Sequence, residues 1–223
     1  MNVISEASSL ISSKLNKLRY DNDTIRPDLK AIINEKDPDI GMDWRNILGE
    51  PPANDSDFVK KELERMQELT KNISPKQKEL IMDVDKDILR LYNPVLEKLG
   101  LKVPHKIIKK YWNDLLLPIV LKLKAQYGRL RPYQLGPVVG YDIRLIETDT
   151  HDTPAYPSGH TAYGALIAFI LSDLYPEHAE EFHEVSVKVA DARVLQGVHY
   201  PSDNDAGMII AAAVWNATKH HVL

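Results

Sequence analysis

The feature that most restricts the fold of this 223-residue chain is a nearly uninterrupted apolar segment, Thr161–Leu174. A run of this length and composition is typical of a helix. It is shorter than the ~20 apolar residues that a helix needs to cross a bilayer. The other long apolar runs, Gly207–Trp215 and Leu115–Leu121, are shorter still. The sequence therefore predicts a helix here and no membrane anchor.

Several other segments have helical signals. Ser74-Pro75-Lys76-Gln77 is a capping-box start with proline at the first helical position. Helices are further predicted at residues 80–99 with a break near Pro94, from Pro104 to about Tyr127 with a kink at Pro118, at 177–195, and at 202–219. Residues 133–156, rich in Gly, Pro, Asp and Thr, are predicted to be loop. No alternating strand pattern competes, so the expected fold is all-α, a single-domain helical bundle.

The charge balance limits the classes of partner. The chain has 28 Lys and Arg against 32 Asp and Glu, a formal net charge of −4. Domains that bind nucleic acid are strongly basic, so no nucleic-acid partner is expected. The absence of cysteine excludes disulfides and thiolate metal sites.

The first candidate group of functional residues is Lys124 with Arg131-Pro132. The two cations are seven residues apart, which places them on one face of a continuous helix. Pro132 disfavours helical geometry at Arg131, so the helix is expected to end there and to present Arg131 at its C-terminal end. Arginine binds phosphate oxygens with two parallel hydrogen bonds, and lysine adds a point charge. Lys122 and Arg129 repeat the spacing without a following proline and are predicted to be surface charges.

The second group is Pro157-Ser158-Gly159-His160, directly before the apolar segment. Ser158 is a suitable N-cap, and free N–H groups at a helix start bind anions. Gly159 lets the backbone approach a ligand closely. His160 would then stand where it can give a proton to a leaving oxygen.

The third group is Arg193, His199 and Asp203. A histidine can attack phosphorus if a second group fixes its tautomer, and Asp203, four residues on, is the natural partner of His199. Pro201 suits a first helical position, which places Asp203 in a first turn.

Each of the three groups alone has an ordinary explanation as a helix end, an N-cap or a capping pair. Together they provide what is needed to hold a tetrahedral oxyanion and to attack its central atom.

The combination resembles the type 2 phosphatidic acid phosphatase superfamily, which includes the bacterial class A nonspecific acid phosphatases and the vanadium haloperoxidases. The span Lys124–Pro132 fits the family's first motif, and Pro157–His160 fits the second. Arg193, His199 and Asp203 fit the third, in which Ala192 replaces a serine. The flanking residues, Tyr156–Ala165 and Gly197–Asp203, are most similar to the soluble acid phosphatases. The missing hydroxyl at Ala192 predicts weaker phosphate binding but not a dead site.

The resemblance implies a helical bundle of the acid phosphatase type and hydrolysis of phosphate monoesters through a phosphohistidine, with no metal and no other cofactor. It implies that His199 is the nucleophile, Asp203 its orienter and His160 the general acid. The residues it implies for phosphate binding are Lys124, Arg131, Ser158, Gly159 and Arg193. The expected ligands are a small phosphorylated substrate, with inorganic phosphate or vanadate as inhibitor.

Two other functions stay open. In a vanadium haloperoxidase the same cradle would hold vanadate, and His199 would bind vanadium instead of attacking phosphorus. A non-catalytic phosphate-binding protein would keep the cradle without turnover. The physiological substrate, phosphotransferase side activity and formation of a homo-oligomer are also open.

The resemblance covers roughly residues 90–219. Residues 1–45 have no recognisable resemblance to the family, so they are predicted to be an N-terminal extension of unknown role. Residues 46–223 are predicted to be the phosphatase domain. Met1–Leu10 contains an early acid and no basic-then-apolar pattern, so it is not predicted to be a secretory signal. A cytoplasmic location is expected, or a periplasmic or secreted one if a signal has been removed.

Two further candidates for substrate contact lie in the loop before the second motif. They are His151 and Asp152.

Overall fold

The predicted fold class is confirmed. The computed structural model describes residues 3–36 and 38–221, which contain helices and turns but no β-strand. The predicted extension and domain also include Met1, Asn2, Asp37 and residues 222–223, which lie outside the described residues, and that division of the chain stays a prediction.

The first six helices are α1 Val3–Leu15, α2 Pro27–Asn34, α3 Trp44–Leu48, α4 Asp57–Lys71, α5 Pro75–Lys86 and α6 Asn93–Leu99. The next six are α7 His105–Tyr111, α8 Leu117–Tyr127, α9 Pro132–Val139, α10 Gly159–Leu174, α11 Ala179–Leu195 and α12 Pro201–Thr218. Short 3-10 segments lie at Asn22–Thr24, Ile88–Tyr92, Pro176–His178 and Lys219–His221, and a π-helical turn lies at Trp112–Leu116. Among the helices of the described residues, none is long and apolar enough to span a bilayer.

Helix α10 forms the centre of the core. Because it is apolar on nearly all sides, it is covered by other helices, mainly α11 and α12. Leu166 and Ile170 are completely buried there. This packing holds the start of α10 next to the start of α12, which sets the relative positions of the second and third motifs.

The predicted helix starts and breaks are largely observed. Ser74 caps α5 in a capping box with Gln77. The predicted helix over residues 80–99 is broken, since α5 ends at Lys86 and Pro94 lies in the first turn of α6. The predicted helix from Pro104 to Tyr127 is observed as α7, the π-helical turn and α8 in succession. Pro118 lies in the first turn of α8, directly after the π-helical turn.

The helix end predicted near Tyr127 is confirmed, and the end expected at Arg131 is wrong. Helix α8 ends at Tyr127 because Gly128 adopts a left-handed backbone with φ of +58°, and its N–H closes the helix on the carbonyl of Lys124. Arg131 is instead the N-cap of α9, and Pro132 fits the first position of that new helix. Lys124 and Arg131 therefore belong to two different helix ends and do not share one helical face.

The predicted loop over residues 133–156 is wrong for its first part, which forms α9. The side chain of Gln134 accepts a hydrogen bond from the backbone N–H of Arg131 at 2.9 Å and stabilises the first turn. Pro137 lies inside this short helix, and Gly140 ends it with φ of +91°. Composition pointed to a loop because Gly and Pro are unfavourable inside helices, but here tertiary packing outweighs that preference.

The described part of the N-terminal region packs against the rest of the chain. The backbone N–H of Tyr20 donates to the carbonyl of Gly128 at 2.8 Å, and Asn22 Nδ2 donates to the carbonyl of Ala125 at 2.9 Å. Arg26, the N-cap of α2, forms an ion pair with Asp152 at 3.3 Å. These contacts place the start of α2 beside the loop that precedes the second motif.

Candidate active site

The three motifs meet at one cavity of about 340 Å³. Its polar end is lined by Lys124, Arg131, Gly159, His160 and His199. Its wall is apolar and comes mainly from α5, α8 and the residues between them: Val84, Ile88, Trp112, Leu117, Val120 and Leu121. The cavity therefore joins a strongly polar end to an apolar compartment.

His199 and Asp203 form a buried pair. His199 Nδ1 lies 3.2 Å from Asp203 Oδ2, which also accepts the backbone N–H of Tyr200 at 2.9 Å. An ionised carboxylate only accepts hydrogen bonds, so Nδ1 of His199 carries the proton. The other nitrogen, Nε2, lies 2.9 Å from Arg131 Nη1, and an arginine nitrogen only donates. Nε2 therefore carries no proton, as a nucleophile requires, and its electron pair accepts the hydrogen bond from Arg131, which must break before Nε2 can attack.

The pKa of His199 is consistent with this neutral state. Burial lowers the pKa of His199 well below its ordinary value, and the charges of Arg131, Lys124 and Arg193 lower it further. The lowered pKa favours the neutral form of His199, in which Nε2 carries no proton.

Three buried cations surround this imidazole. Arg131 Nε donates to the carbonyl of Thr153 at 2.8 Å, and its Nη1 donates to that of Val198 at 2.9 Å. Lys124 Nζ donates to the carbonyls of Pro154 and Ala155. Burial and the charges of Arg131 and Arg193 lower the pKa of Lys124 well below its ordinary value. The mutual repulsion of these cations is what a bound anion would relieve.

Arg193 is the buried cation with the most hydrogen-bond donors left unpaired among the described residues. Its Nη1 donates to Asp85 Oδ1 at 3.2 Å, but Nε and Nη2 are buried and have no hydrogen-bond partner among the described residues. Burial, followed by the charge of Arg131, lowers the pKa of Arg193 to about 10. Buried polar nitrogens almost always have a partner, so two unpaired ones on a single guanidinium are suited to binding two oxygens of an oxyanion.

The second motif starts α10 as predicted. Ser158 Oγ accepts the backbone N–H of Thr161 and donates its own proton to Thr161 Oγ1 at 2.9 Å. The fully buried hydroxyl of Ser158 is thus used within the protein as a helix cap. Gly159 and His160 line the cavity, and the side chain of His160 is 19% exposed. Burial and the nearby charges of Arg193, Arg131 and Lys124 lower the pKa of His160 well below its ordinary value.

The sequence interpretation of Arg129 as a surface charge is wrong. Arg129 is buried and donates to Asp203 Oδ1 at 2.5 Å and to Glu62 Oε2 at 3.4 Å. Its guanidinium lies 3.9 Å from the centre of the Tyr200 ring. Both carboxylates are far away in the sequence, so no local pattern could have indicated the pairing. Arg129 holds the Asp203 carboxylate from the side opposite to His199.

Asp85 on α5 is a second residue that sequence reasoning missed. Its Oδ1 accepts the hydroxyl protons of Thr148, at 2.7 Å, and of Thr150, as well as the bond from Arg193. The chain has 32 acidic residues, and nothing in the spacing around Asp85 distinguishes it.

The two loop residues predicted as candidates for substrate contact, His151 and Asp152, differ in their surroundings. Asp152 lines the cavity, whereas His151 Nε2 pairs with Glu147 at 3.2 Å.

Comparison with known proteins identifies a family whose model covers all three motifs. The family model described as PAP2 superfamily matches residues 114–222. The non-specific acid phosphatase of Salmonella typhimurium is 30% identical over 190 residues, which cover 78% of this chain and 73% of the relative. This chain belongs to the PAP2 superfamily. The resemblance found in the motifs is thereby confirmed.

Two further matches cover less of this chain or are less similar in sequence. The non-specific acid phosphatase of Providencia stuartii is 30% identical over 57% of this chain and 50% of its own length. Among solved structures, the first transmembrane PAP2 type phosphatidylglycerolphosphate phosphatase from Bacillus subtilis aligns at 16% identity with a TM-score of 0.49. That alignment covers 75% of this chain and 87% of the other.

Proposed function

We propose that this PAP2 protein is an acid phosphatase that hydrolyses phosphate monoesters through a phosphohistidine on His199, without a metal. The observation that carries the proposal is that two imidazoles and the buried cations Lys124 and Arg131 line one cavity, with the buried Arg193 close enough to lower the pKa of both histidines. Two nitrogens of Arg193 have no hydrogen-bond partner among the described residues. Membership of a phosphatase family and relatives named non-specific acid phosphatase support it.

Phosphate binding would come from the cations. The phosphoryl group carries about two negative charges, and its transition state spreads charge over three oxygens, so catalysis depends mainly on positioning and charge stabilisation. Arg193 offers Nε and Nη2 as a bidentate pair, while Lys124 and Arg131 supply charge from two other helix ends. The start of α10 adds backbone N–H groups near Gly159. Because these cations provide the neutralising charge, the mechanism contains no metal-dependent step.

In the first half-reaction, the electron pair on His199 Nε2 attacks phosphorus while the bond from phosphorus to the leaving oxygen breaks. His160 gives its proton to that oxygen. Asp203, hydrogen-bonded to Nδ1, stabilises the positive charge that develops on His199. In the second half-reaction, His160 takes a proton from water, which attacks phosphorus. The bond between phosphorus and nitrogen breaks, and its electron pair returns to Nε2.

The test uses a His199→Ala variant and a trapping experiment. His199→Ala should lose essentially all turnover of an aryl phosphate, and denaturing quench of the wild type with substrate should give an acid-labile, base-stable phosphoprotein. The variant should give none. Activity should survive treatment with a chelator.

A matched control is His183→Ala, since His183 lies on α11 and contacts the ring of Phe169 instead of the cavity. The proposal is wrong if His199→Ala keeps near-normal turnover. It is equally wrong if phosphate is bound but no ester in a broad panel is hydrolysed, which is the behaviour of a binding protein.

A further inference from the structure

His160 makes a contact that the mechanism above does not use. Its Nε2 lies 3.1 Å from the hydroxyl oxygen of Thr150, and this hydroxyl makes a short hydrogen bond with Asp85 Oδ1. The same carboxylate oxygen is 4.0 Å from His160 Nε2. Asp85, Thr150 and His160 therefore form a chain that links helix α5 to the start of α10 through the loop before the second motif.

The direction of these hydrogen bonds follows from the donors available. Burial tends to raise the pKa of Asp85, but hydrogen bonds from Thr150 and Thr148 and the charge of Arg193 outweigh burial, and the pKa is lowered. Asp85 is thus ionised and can only accept. Thr150 has one proton, and it goes to Asp85, since an ionised carboxylate has no proton to donate. Toward His160, Thr150 can then only accept, so Nε2 of His160 carries a proton.

We propose that Asp85 and Thr150 are positioning residues that keep a proton on Nε2 of His160, so that Nδ1 delivers the proton to the leaving group and later takes one from water. This inference rests on the proposed role of His160. In the first step the proton on Nδ1 moves to the leaving oxygen, which keeps the electron pair of the broken bond. His160 is then neutral with its proton on Nε2, and the free pair on Nδ1 accepts the proton of the attacking water.

The two histidines of the site are thus fixed in opposite tautomers. Asp203 holds the proton of His199 on Nδ1 and leaves Nε2 for phosphorus. Asp85, acting through Thr150, holds that of His160 on Nε2 and leaves Nδ1 for the proton transfer. The Asp85 carboxylate, 4.0 Å from His160 Nε2, is close enough to stabilise a protonated imidazole. The charged and titratable groups facing His160 are Asp85 from α5, Lys124 from α8, Arg131 before α9, Arg193 from α11 and His199 before α12.

Thr150→Val is the sharpest test, because it removes the hydroxyl and keeps the shape, and Thr150 makes no hydrogen bond to Arg193 in the described structure. The kcat/KM for 4-nitrophenyl phosphate, which reports the first half-reaction and whose leaving group needs little protonation, should stay near the wild-type value. The kcat/KM for glycerol phosphate should fall about 10–100-fold, part of what a general acid contributes. The basic limb of the pH profile of kcat should move to lower pH, since His160 loses the link to its carboxylate.

Two further variants separate positioning from support of the fold. Thr148→Val removes a hydrogen bond to the same Asp85 oxygen but none to His160, so its rates for the two substrates should keep the wild-type ratio. Thr150→Ser restores a hydroxyl and should restore both the ratio and the basic limb. A merely structural role would lower both rates in parallel and leave the pH profile in place.

The inference is overturned if Thr150→Val keeps the wild-type substrate ratio and pH profile, or if Thr148→Val changes them equally. Either result together with a trapped phosphoprotein in the wild type rejects the inference alone. The absence of a trapped phosphoprotein in the wild type rejects the proposed function itself.

Discussion

Asp203 is the residue on which the buried charges of the site converge. Its two carboxylate oxygens accept hydrogen bonds from His199, from the backbone N–H of Tyr200 and from Arg129. Glu62 is buried as well, and burial raises its pKa although the charge of Arg129 opposes this. Arg129 therefore pairs with two buried carboxylates at once.

Removing that cation should be costly. Arg129→Met should lower the free energy of unfolding by about 3–5 kcal/mol, because it leaves buried carboxylates without a counter-ion. Urea unfolding followed by circular dichroism measures this change.

The matched control is Arg144→Met. Arg144 pairs with Asp142 at 3.9 Å, and the two side chains are 58% and 79% exposed. Exposed pairs contribute little, so this variant should change stability by less than about 1 kcal/mol. Similar losses in the two variants would contradict the role assigned to Arg129.

At the level of helices, the geometry of the site depends on how closely α12 packs against the start of α10. Helix α12 follows His199 and contains Asp203, while α10 begins with Gly159 and His160. The backbone N–H of Ser158 donates to the carbonyl of Asp203 at 2.9 Å. Gly207 lies at this contact, and its lack of a side chain permits the approach.

Gly207→Ala should separate the two helices. A Cβ at this position would lie 2.5 Å from the carbonyl oxygen of Ser158 and 3.2 Å from the amide nitrogen of Ala162, and neither backbone atom can move alone. We expect a loss of about 1–3 kcal/mol in stability and a fall in kcat, since both histidines shift relative to each other. Thermal unfolding and steady-state kinetics measure the two effects.

Gly164→Ala is the control, because its Cβ would meet only the side chain of Val189, at 3.3 Å. Both substitutions gain the same helix propensity, so the difference between them isolates the backbone clash. Equal, small effects in the two variants would show that the approach of α12 to α10 is not required.

For the molecule as a whole, the fold concentrates positive charge at one cavity in a chain of net charge −4. Burial and these charges lower the pKa values of His160 and His199. Lowered histidine pKa values mean that the unfolded chain binds protons more readily than the folded chain as pH falls below the ordinary value of about 6.5. Stability should therefore be complete above that pH and decline below it.

The predicted loss is up to about 1.4 kcal/mol per pH unit for each of the two histidines. Urea unfolding at pH 7, 6 and 5 checks it. Inorganic phosphate should reduce the slope, because a bound anion stabilises the protonated imidazoles, and it should raise stability by about 2.7 kcal/mol at a hundred-fold excess over its Kd. Chloride at equal ionic strength is the control. A flat profile, or equal effects of phosphate and chloride, would contradict the charge arrangement described.

Local signals in the sequence were enough to predict the helical class, the starts of α5, α7, α10, α11 and α12 to within two residues, and the residues of the three motifs. The apolar run of α10, the N-cap at Ser158 and the proline at position 201 are all readable within a few residues. Family motifs extended this to His160, His199 and Asp203, since their order is preserved along the chain.

Only the tertiary structure decided the partners. It placed Asp85 beside Thr150 and His160, joined Arg129 to Asp203, and moved Arg131 from a helix end to the start of α9. The contacts of Asp85 and Arg129 span 65 and 74 positions in the chain, so they leave no periodic trace in the sequence. Burial then gives these pairings their strength, because a charge removed from water must find an opposite charge or a hydrogen bond wherever the fold supplies one.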